Sequence, residues 1–155
     1  MAREDTAGVI LPPPIILLLA LALGVGLEWI SDWPLFQRGA STVLLGGALV
    51  AVSIALAAWS VRTMRLSGTR YETSQPTSSI VAHGPYQYTR NPIYLAMIGF
   101  LLGFGIALDS GWLLLTLIPF SLAIRYGVIA REERYLEKKF GADYVAYKKA
   151  VRRWL

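Results

Sequence analysis

The distribution of charge constrains this chain more than any other feature. Three long stretches, Thr6 to Leu27, Gly39 to Val61 and Asn91 to Leu108, carry no charge, and a fourth, Ser110 to Ala130, carries only Arg125. A helix needs about 20 apolar residues to cross the hydrocarbon core of a bilayer. Each stretch is long enough or nearly so. Lipid accepts helices but no open sheet edge, because nothing in it can pair a free N–H or C=O. The pattern therefore predicts an all-α integral membrane bundle of four transmembrane helices, with spans near residues 12-29, 40-61, 92-108 and 111-130. Composition agrees, since 55% of the 155 residues are hydrophobic and the mean hydropathy is +0.48. The chain reads as one domain, 1-155, with a long loop between the second and third spans and an amphipathic helical tail over 131-155.

Charge also predicts orientation. Lysine and arginine accumulate in cytoplasmic loops. The central loop holds Arg62, Arg65, Arg70 and Arg90, and the tail adds Arg131, Arg134, Lys138, Lys139, Lys148, Lys149, Arg152 and Arg153. The opposite connections hold Glu28, Asp32 and Asp109 against Arg38. Both termini and the central loop are thus expected in the cytoplasm. The basic tail suits a membrane surface, and no nucleic-acid partner is implied. With no cysteine and a single histidine, thiolate nucleophiles, disulfides and histidine-rich metal sites are excluded.

Local signals fill in the spans. Pro12, Pro13 and Pro14 suit an extended approach and a helix's first turn. Gly46-Gly47 and the alanines of the second span let helices approach closely. Leu108-Asp109-Ser110-Gly111 is a tight turn, so spans three and four form a hairpin. Gly141 ends the charged helix that begins at Arg131. Between Arg62 and Arg90 the apolar pattern breaks: Ser67, Gly68, Thr73, Ser74, Gln75, Pro76, Thr77, Ser78 and Ser79 read as irregular chain.

Two clusters could carry chemistry, and both fall at the predicted cytoplasmic interface. The first runs from His83 to Tyr94. Gly84-Pro85 and Asn91-Pro92 form turns that leave backbone amides free for a ligand. Tyr86, Tyr88 and Tyr94 offer flat faces to a purine or a sulfonium cation. The plainer reading of the same residues is an interfacial aromatic belt. The second cluster is Arg125 with Glu132 and Glu133. On a continuous α-helix at about 100° per residue, Glu132 lies within roughly 20° of Arg125 and roughly 10 Å further along. An arginine in an apolar span either snorkels to water or faces the bundle interior, where it would orient a polar head group.

The residues Gly84-Pro85-Tyr86-x-Tyr88-x-Arg90-Asn91-Pro92-x-Tyr94-Leu95 precede a hydrophobic hairpin. Glu132-Glu133-x-x-Leu136-x-x-x-Phe140-Gly141-x-x-Tyr144-x-x-Tyr147 comes after it. In this order and spacing the chain resembles the isoprenylcysteine carboxyl methyltransferase and phospholipid methyltransferase family of membrane enzymes, over about half its length, Ser79 to Trp154. The resemblance implies an S-adenosylmethionine-dependent methyltransferase acting on a lipophilic, membrane-embedded acceptor. It implies that His83, Gly84, Pro85, Tyr86 and Tyr88 line the cofactor, that Arg90, Asn91, Pro92 and Tyr94 complete the wall, and that Glu133, with Glu132 beside it, holds the cofactor's ribose or amino group. Arg125, Glu132 and Glu133 are the candidate catalytic residues, and no metal is implied. The chain departs from the carboxyl methyltransferases at Ala150, where they carry an arginine, and at Arg152, where they carry a proline. The acceptor is therefore either an isoprenylcysteine-like carboxylate or another group, such as the amine of a phospholipid. Two readings from other classes are a membrane reductase using a nicotinamide cofactor and a non-enzymatic four-helix membrane protein.

Overall fold

The computed structural model of the chain describes residues 6–69 and 77–155. Arg70, Thr73, Ser74, Gln75 and Pro76 of the central loop lie outside them. The described residues are helical, with no strand among them. Helix α1 is Pro13–Ile30 and α2 is Ala40–Leu66. A short 3₁₀ turn, Gly84–Gln87, precedes α3, Pro92–Leu108. Helix α4, Gly111–Leu122, continues through a π-helical stretch, Ala123–Ile129, into α5, Ala130–Phe140. Gly141, at φ +54°, turns the chain into α6, Ala142–Ala150. Among the described residues three helical rods are long and apolar enough to cross a membrane: Pro13–Ile30, Ala40–Leu66 and Gly111–Phe140. Pro92–Leu108 is apolar but shorter, at 17 residues.

Helix α2 packs chiefly on α3, α3 also packs on α4, and α4 packs on α1. A core of Ile16, Ala20, Tyr94, Leu101, Leu113, Phe120, Ile124, Val128 and Ile129 fills the space between α1, α3 and the α4 rod. Leu101, Ile124, Val128 and Ile129 are fully buried. Lipid-facing side chains gain nothing by leaving hydrocarbon, so van der Waals contact must hold such helices together, and small residues allow the most of it. The α2–α3 contact is of this kind. A Cβ on Gly46 would lie 2.4 Å from the Ala107 amide nitrogen, and one on Gly103 would lie 2.8 Å from the Gly46 carbonyl oxygen. Neighbouring Gly47 faces open space.

The two short turns at one end of the bundle are tied together. Asp109 terminates α3 in the left-handed region at φ 54°. Its buried carboxylate accepts from the Leu35 and Phe36 amides, at 3.0 and 2.7 Å. The Gly111 amide donates to the Trp33 carbonyl at 2.8 Å, and the Ser110 hydroxyl meets Glu28. The rings of Trp33 and Trp112 pack edge to face with centroids 5.0 Å apart.

The π-helical stretch changes the geometry expected of the fourth rod. A π turn closes its hydrogen bonds to the fifth residue and so holds about one residue more than an α turn, which rotates the downstream helix by roughly 100°. The alignment of Arg125 with Glu132, which assumes an unbroken α-helix, does not hold. The widened turn and the start of α5 also engage the N-terminal segment: the Ile10 amide donates to the Gly127 carbonyl at 3.3 Å, and Arg131 Nη1 of α5 donates to the Gly8 carbonyl at 2.8 Å.

The glycine pair gives an internal control. Gly46→Ala should destabilise the protein by about 1–3 kcal/mol through overpacking against backbone. Gly47→Ala should be neutral or slightly stabilising, because alanine is the better helix former. Thermal melts of the two variants in one detergent test this, and equal melting temperatures would contradict the close α2–α3 approach.

Candidate active site

At the end of the bundle opposite the tied turns lies a cavity of about 120 Å³. Its walls come from the loop around Ser79 to Val81, the 3₁₀ turn, the start of α3, α5 and α6, with Met64 of α2 and Ala7 at its margin. Each element is placed by a local rule. Pro85 and Pro92 sit in the first turns of their helices, where the missing N–H costs nothing. Gly84 is at φ +61°, and a Cβ there would lie 2.9 Å from the Thr63 hydroxyl of α2. The 3₁₀ turn is thereby pressed against α2, and Tyr86 is turned inward.

Of the residues proposed from sequence, Tyr86, Arg90, Asn91, Pro92, Tyr94, Glu132 and Glu133 line the cavity. His83, Gly84, Pro85, Tyr88 and Arg125 do not. Pro85 and Gly84 support the turn behind Tyr86. His83 is exposed, with Nε2 3.4 Å from the Ser67 hydroxyl. Tyr88 is 63% exposed. Arg125 is exposed on the outer face of the rod, with its guanidinium 5.4 Å from the centre of the Tyr126 ring. The π-helical rotation separates it from the two glutamates.

The two acids have different surroundings. Glu133 is 8% exposed and sits between two guanidiniums. Arg153 Nε and Nη2 donate to its two carboxylate oxygens at 3.0 and 2.6 Å, a fork-to-fork geometry that arginine alone can supply. Arg90 Nη1 lies 3.0 Å from Glu133 Oε1, close enough for an ion pair although neither Nη1 nor Nε of Arg90 completes an aligned hydrogen bond. Glu132 instead accepts from the Tyr94 hydroxyl at 2.7 Å. Among the described residues no cationic side chain pairs with it.

The segment after α6 is sewn to the loop before α3. The Arg90 amide donates to the Arg152 carbonyl at 3.0 Å, and the Thr89 hydroxyl and Asn91 Nδ2 both donate to the Arg153 carbonyl, at 3.1 and 2.9 Å. The Tyr147 hydroxyl donates to the Tyr86 carbonyl at 2.7 Å. The Tyr86 hydroxyl is buried and has no hydrogen-bond partner among the described residues. Burial holds the phenols here protonated: it raises Tyr86 and Tyr147 well above the usual tyrosine range, and it lifts Tyr144 to about 12 with help from the Glu133 charge. The hydrogen bonds to Glu133 raise Arg153 further.

Sequence reasoning did not place Tyr144, Tyr147, Tyr135, Leu136 or the Ser79–Val81 wall in the site. The spacing of Tyr144 and Tyr147 puts both on one face of α6, which is a usable signal. The loop wall has none.

Against known proteins, the phospholipid methyltransferase family matches residues 41–143. The chain belongs to the phospholipid methyltransferase family. Together with its apolar helices, membership makes it a multi-pass membrane protein of methyltransferase type. An uncharacterized protein of Haemophilus influenzae is 46% identical over 63 residues, covering 41% of this chain and 100% of that protein. No solved structure matches the chain. The matched family region contains both glutamates and Arg90, while Tyr144, Tyr147 and Arg153 lie just beyond it.

Removing the charge between the guanidiniums should be costly. Glu133→Gln leaves two cations facing each other, at a cost of about 3 kcal/mol for breaking a buried pair. Glu132→Gln loses at most one hydrogen bond to a charged group, about 1.5 kcal/mol. The melting temperatures of the two variants should therefore fall in that order. The reverse order would contradict the assignment of partners.

Proposed function

We propose that this protein is an S-adenosylmethionine-dependent methyltransferase whose cavity takes the cofactor from the cytoplasmic side and a lipophilic acceptor from the bilayer. The observation that carries this reading is the buried Tyr86 hydroxyl, unpartnered among the described residues, in an aromatic cavity that also holds Glu132. A buried polar group without a partner costs free energy that a ligand can recover. When bound, S-adenosylmethionine supplies a methyl group on a sulfonium, and the organic chemistry is the cofactor's own. The faces of Tyr86 and Tyr94 and the carboxylate of Glu132 suit a cationic ligand. Asn91, Pro92 and Arg90 would complete the wall, and Glu133 would fix it in place.

The protein's task is then to align acceptor and donor and to exclude water. Pro92, Ile93, Leu136, Val81 and Met64 give the cavity an apolar side, where a lipid chain loses nothing on leaving the bilayer. A carboxylate acceptor needs no base. An amine acceptor must lose a proton, and Glu132 is the acid placed to take it. Both the isoprenylcysteine-like carboxylate and the phospholipid amine suit the family.

We further propose four spans, with α3 as the third, and both termini, the central loop and the cavity on the cytoplasmic side. The basic residues cluster at the cavity end, as the positive-inside bias requires. The chain has no cysteine, so single cysteines at Asp32, Gln37, Thr77 and Lys149 report the topology directly. Asp32 and Gln37, both exposed, should react with an impermeant thiol reagent applied outside intact cells, and Thr77 and Lys149 should not. Labelling at Thr77 would invert the orientation.

The cofactor reading is tested by binding without any acceptor. Purified protein should bind S-adenosylmethionine, and Tyr86→Ala or Glu132→Gln should weaken binding at least tenfold, about 1.4 kcal/mol. Tyr88→Ala, outside the cavity lining, should change it little. Binding of NADPH in place of S-adenosylmethionine would substitute a reductase for the methyltransferase.

A further inference from the structure

The Glu132-Glu133 pair is treated by its motif as a unit, but the two carboxylates do different work, and a residue outside the family-matched region separates them. We infer that Arg153 is a positioning residue. Together with Arg90 it holds Glu133 in an ion-pair cluster, leaves Glu132 as the single acid without a cationic partner among the described residues of the cavity, and thereby limits how strongly the cavity favours a cationic ligand. This rests on the methyltransferase reading above and adds to it a residue and a selectivity.

Arg153 reaches Glu133 in the bidentate geometry, and its own position is over-determined. Its carbonyl is held by Thr89 and Asn91, and the preceding carbonyl by the Arg90 amide. Trp154 packs against the bundle core. The arginine is therefore delivered to Glu133 by a fixed backbone rather than by a freely swinging side chain. Asn91 takes part through its side-chain amide, a donor that faces the tail rather than only the cavity.

The charges at the cavity make the consequence concrete. Arg90 and Arg153 carry two positive charges and Glu133 one negative, and all three are joined in one cluster. Glu132 is bonded to a neutral phenol. Arg125 is exposed on the outer face and does not line the cavity. In the same cavity, Tyr86 is 7% exposed and its hydroxyl is unpartnered among the described residues, an independent sign that a polar ligand belongs there. If Arg153 is removed, half of the clamp on Glu133 is lost and a second acid gains influence in the cavity. The cavity should then favour a cation more strongly, not less.

S-adenosylmethionine and S-adenosylhomocysteine measure this, because they differ at sulfur by one methyl and one positive charge. The ratio of their affinities reports the field at the sulfur and cancels general loosening of the site. Relative to the parent, Arg153→Ala should shift the ratio toward S-adenosylmethionine by roughly threefold, the scale of a partly exposed ion pair. Adding Glu133→Gln to Arg153→Ala should return the ratio to the parent value. Arg153→Lys should keep the parent ratio while weakening both ligands, since charge is retained and the fork is lost. Glu132→Gln should shift the ratio the other way. A well-folded Arg153→Ala variant with the parent ratio would overturn the inference and leave the methyltransferase reading standing. A parent protein that binds neither ligand would overturn both.

Discussion

In hydrocarbon an unpaired backbone N–H or C=O costs several kcal/mol, because no water is present to satisfy it. That constraint makes the described residues helical, and it also decides where the chain is permitted to be irregular. Proline-rich entry, 3₁₀ turn, π-helical stretch and tail all sit toward one end of the bundle, where side chains or neighbouring backbone pair the freed groups. The Gly127 carbonyl in the π-helical stretch is met by the Ile10 amide. The other end is closed by the Asp109 carboxylate and two tryptophans. One end is fastened, and the other is built to hold something.

Fastening works differently in the two halves of each helix. Toward the tied turns, α2 and α3 approach until backbone touches backbone at Gly46 and Gly103. Dispersion alone holds them there, and any added methyl separates them. Toward the cavity, the contact passes to polar groups: Arg90, Thr89 and Asn91 each reach the residues after α6. The cavity walls are therefore cross-braced by contacts between segments distant in sequence. Such a supporting set of contacts is what keeps site residues in one geometry.

Much of this was legible in the sequence. The uncharged stretches located the helices because a bilayer tolerates little else, and the Asp109 turn was visible because two spans so closely spaced can only fold back. The cavity residues Tyr86, Arg90, Asn91, Pro92, Tyr94, Glu132 and Glu133 were readable from their order and spacing. Arg125 lies outside the cavity lining, and its expected place beside Glu132 depends on helix geometry. Its alignment with Glu132 assumes a constant α-helical step, and a π turn has no signature in residue type that periodicity can register. Tyr88 was grouped with Tyr86 on aromatic character, although two residues apart on a tight turn point to different sides. The partner of Glu133 was illegible for another reason: it lies 20 residues away, beyond helix-surface spacing, so only tertiary structure could name it.

The π-helical stretch and the acidic pair are best understood together. An unbroken α-helix from Gly111 to Phe140 would put Arg125 and Glu132 on one face, roughly 10 Å apart along the axis. The wider turn separates them. It releases Arg125 to the outer face, where a tyrosine ring and the polar boundary accommodate it, and turns Glu132 and Glu133 inward without it. Neutralisation then has to come from another part of the chain, and Arg90 and Arg153 supply it for Glu133 alone. The cavity keeps Glu132 bonded to a neutral phenol, with no cationic partner among the described residues. Giving one acid a phenol, while supplying two guanidiniums for its neighbour, is how a short run of identical residues acquires two different chemistries.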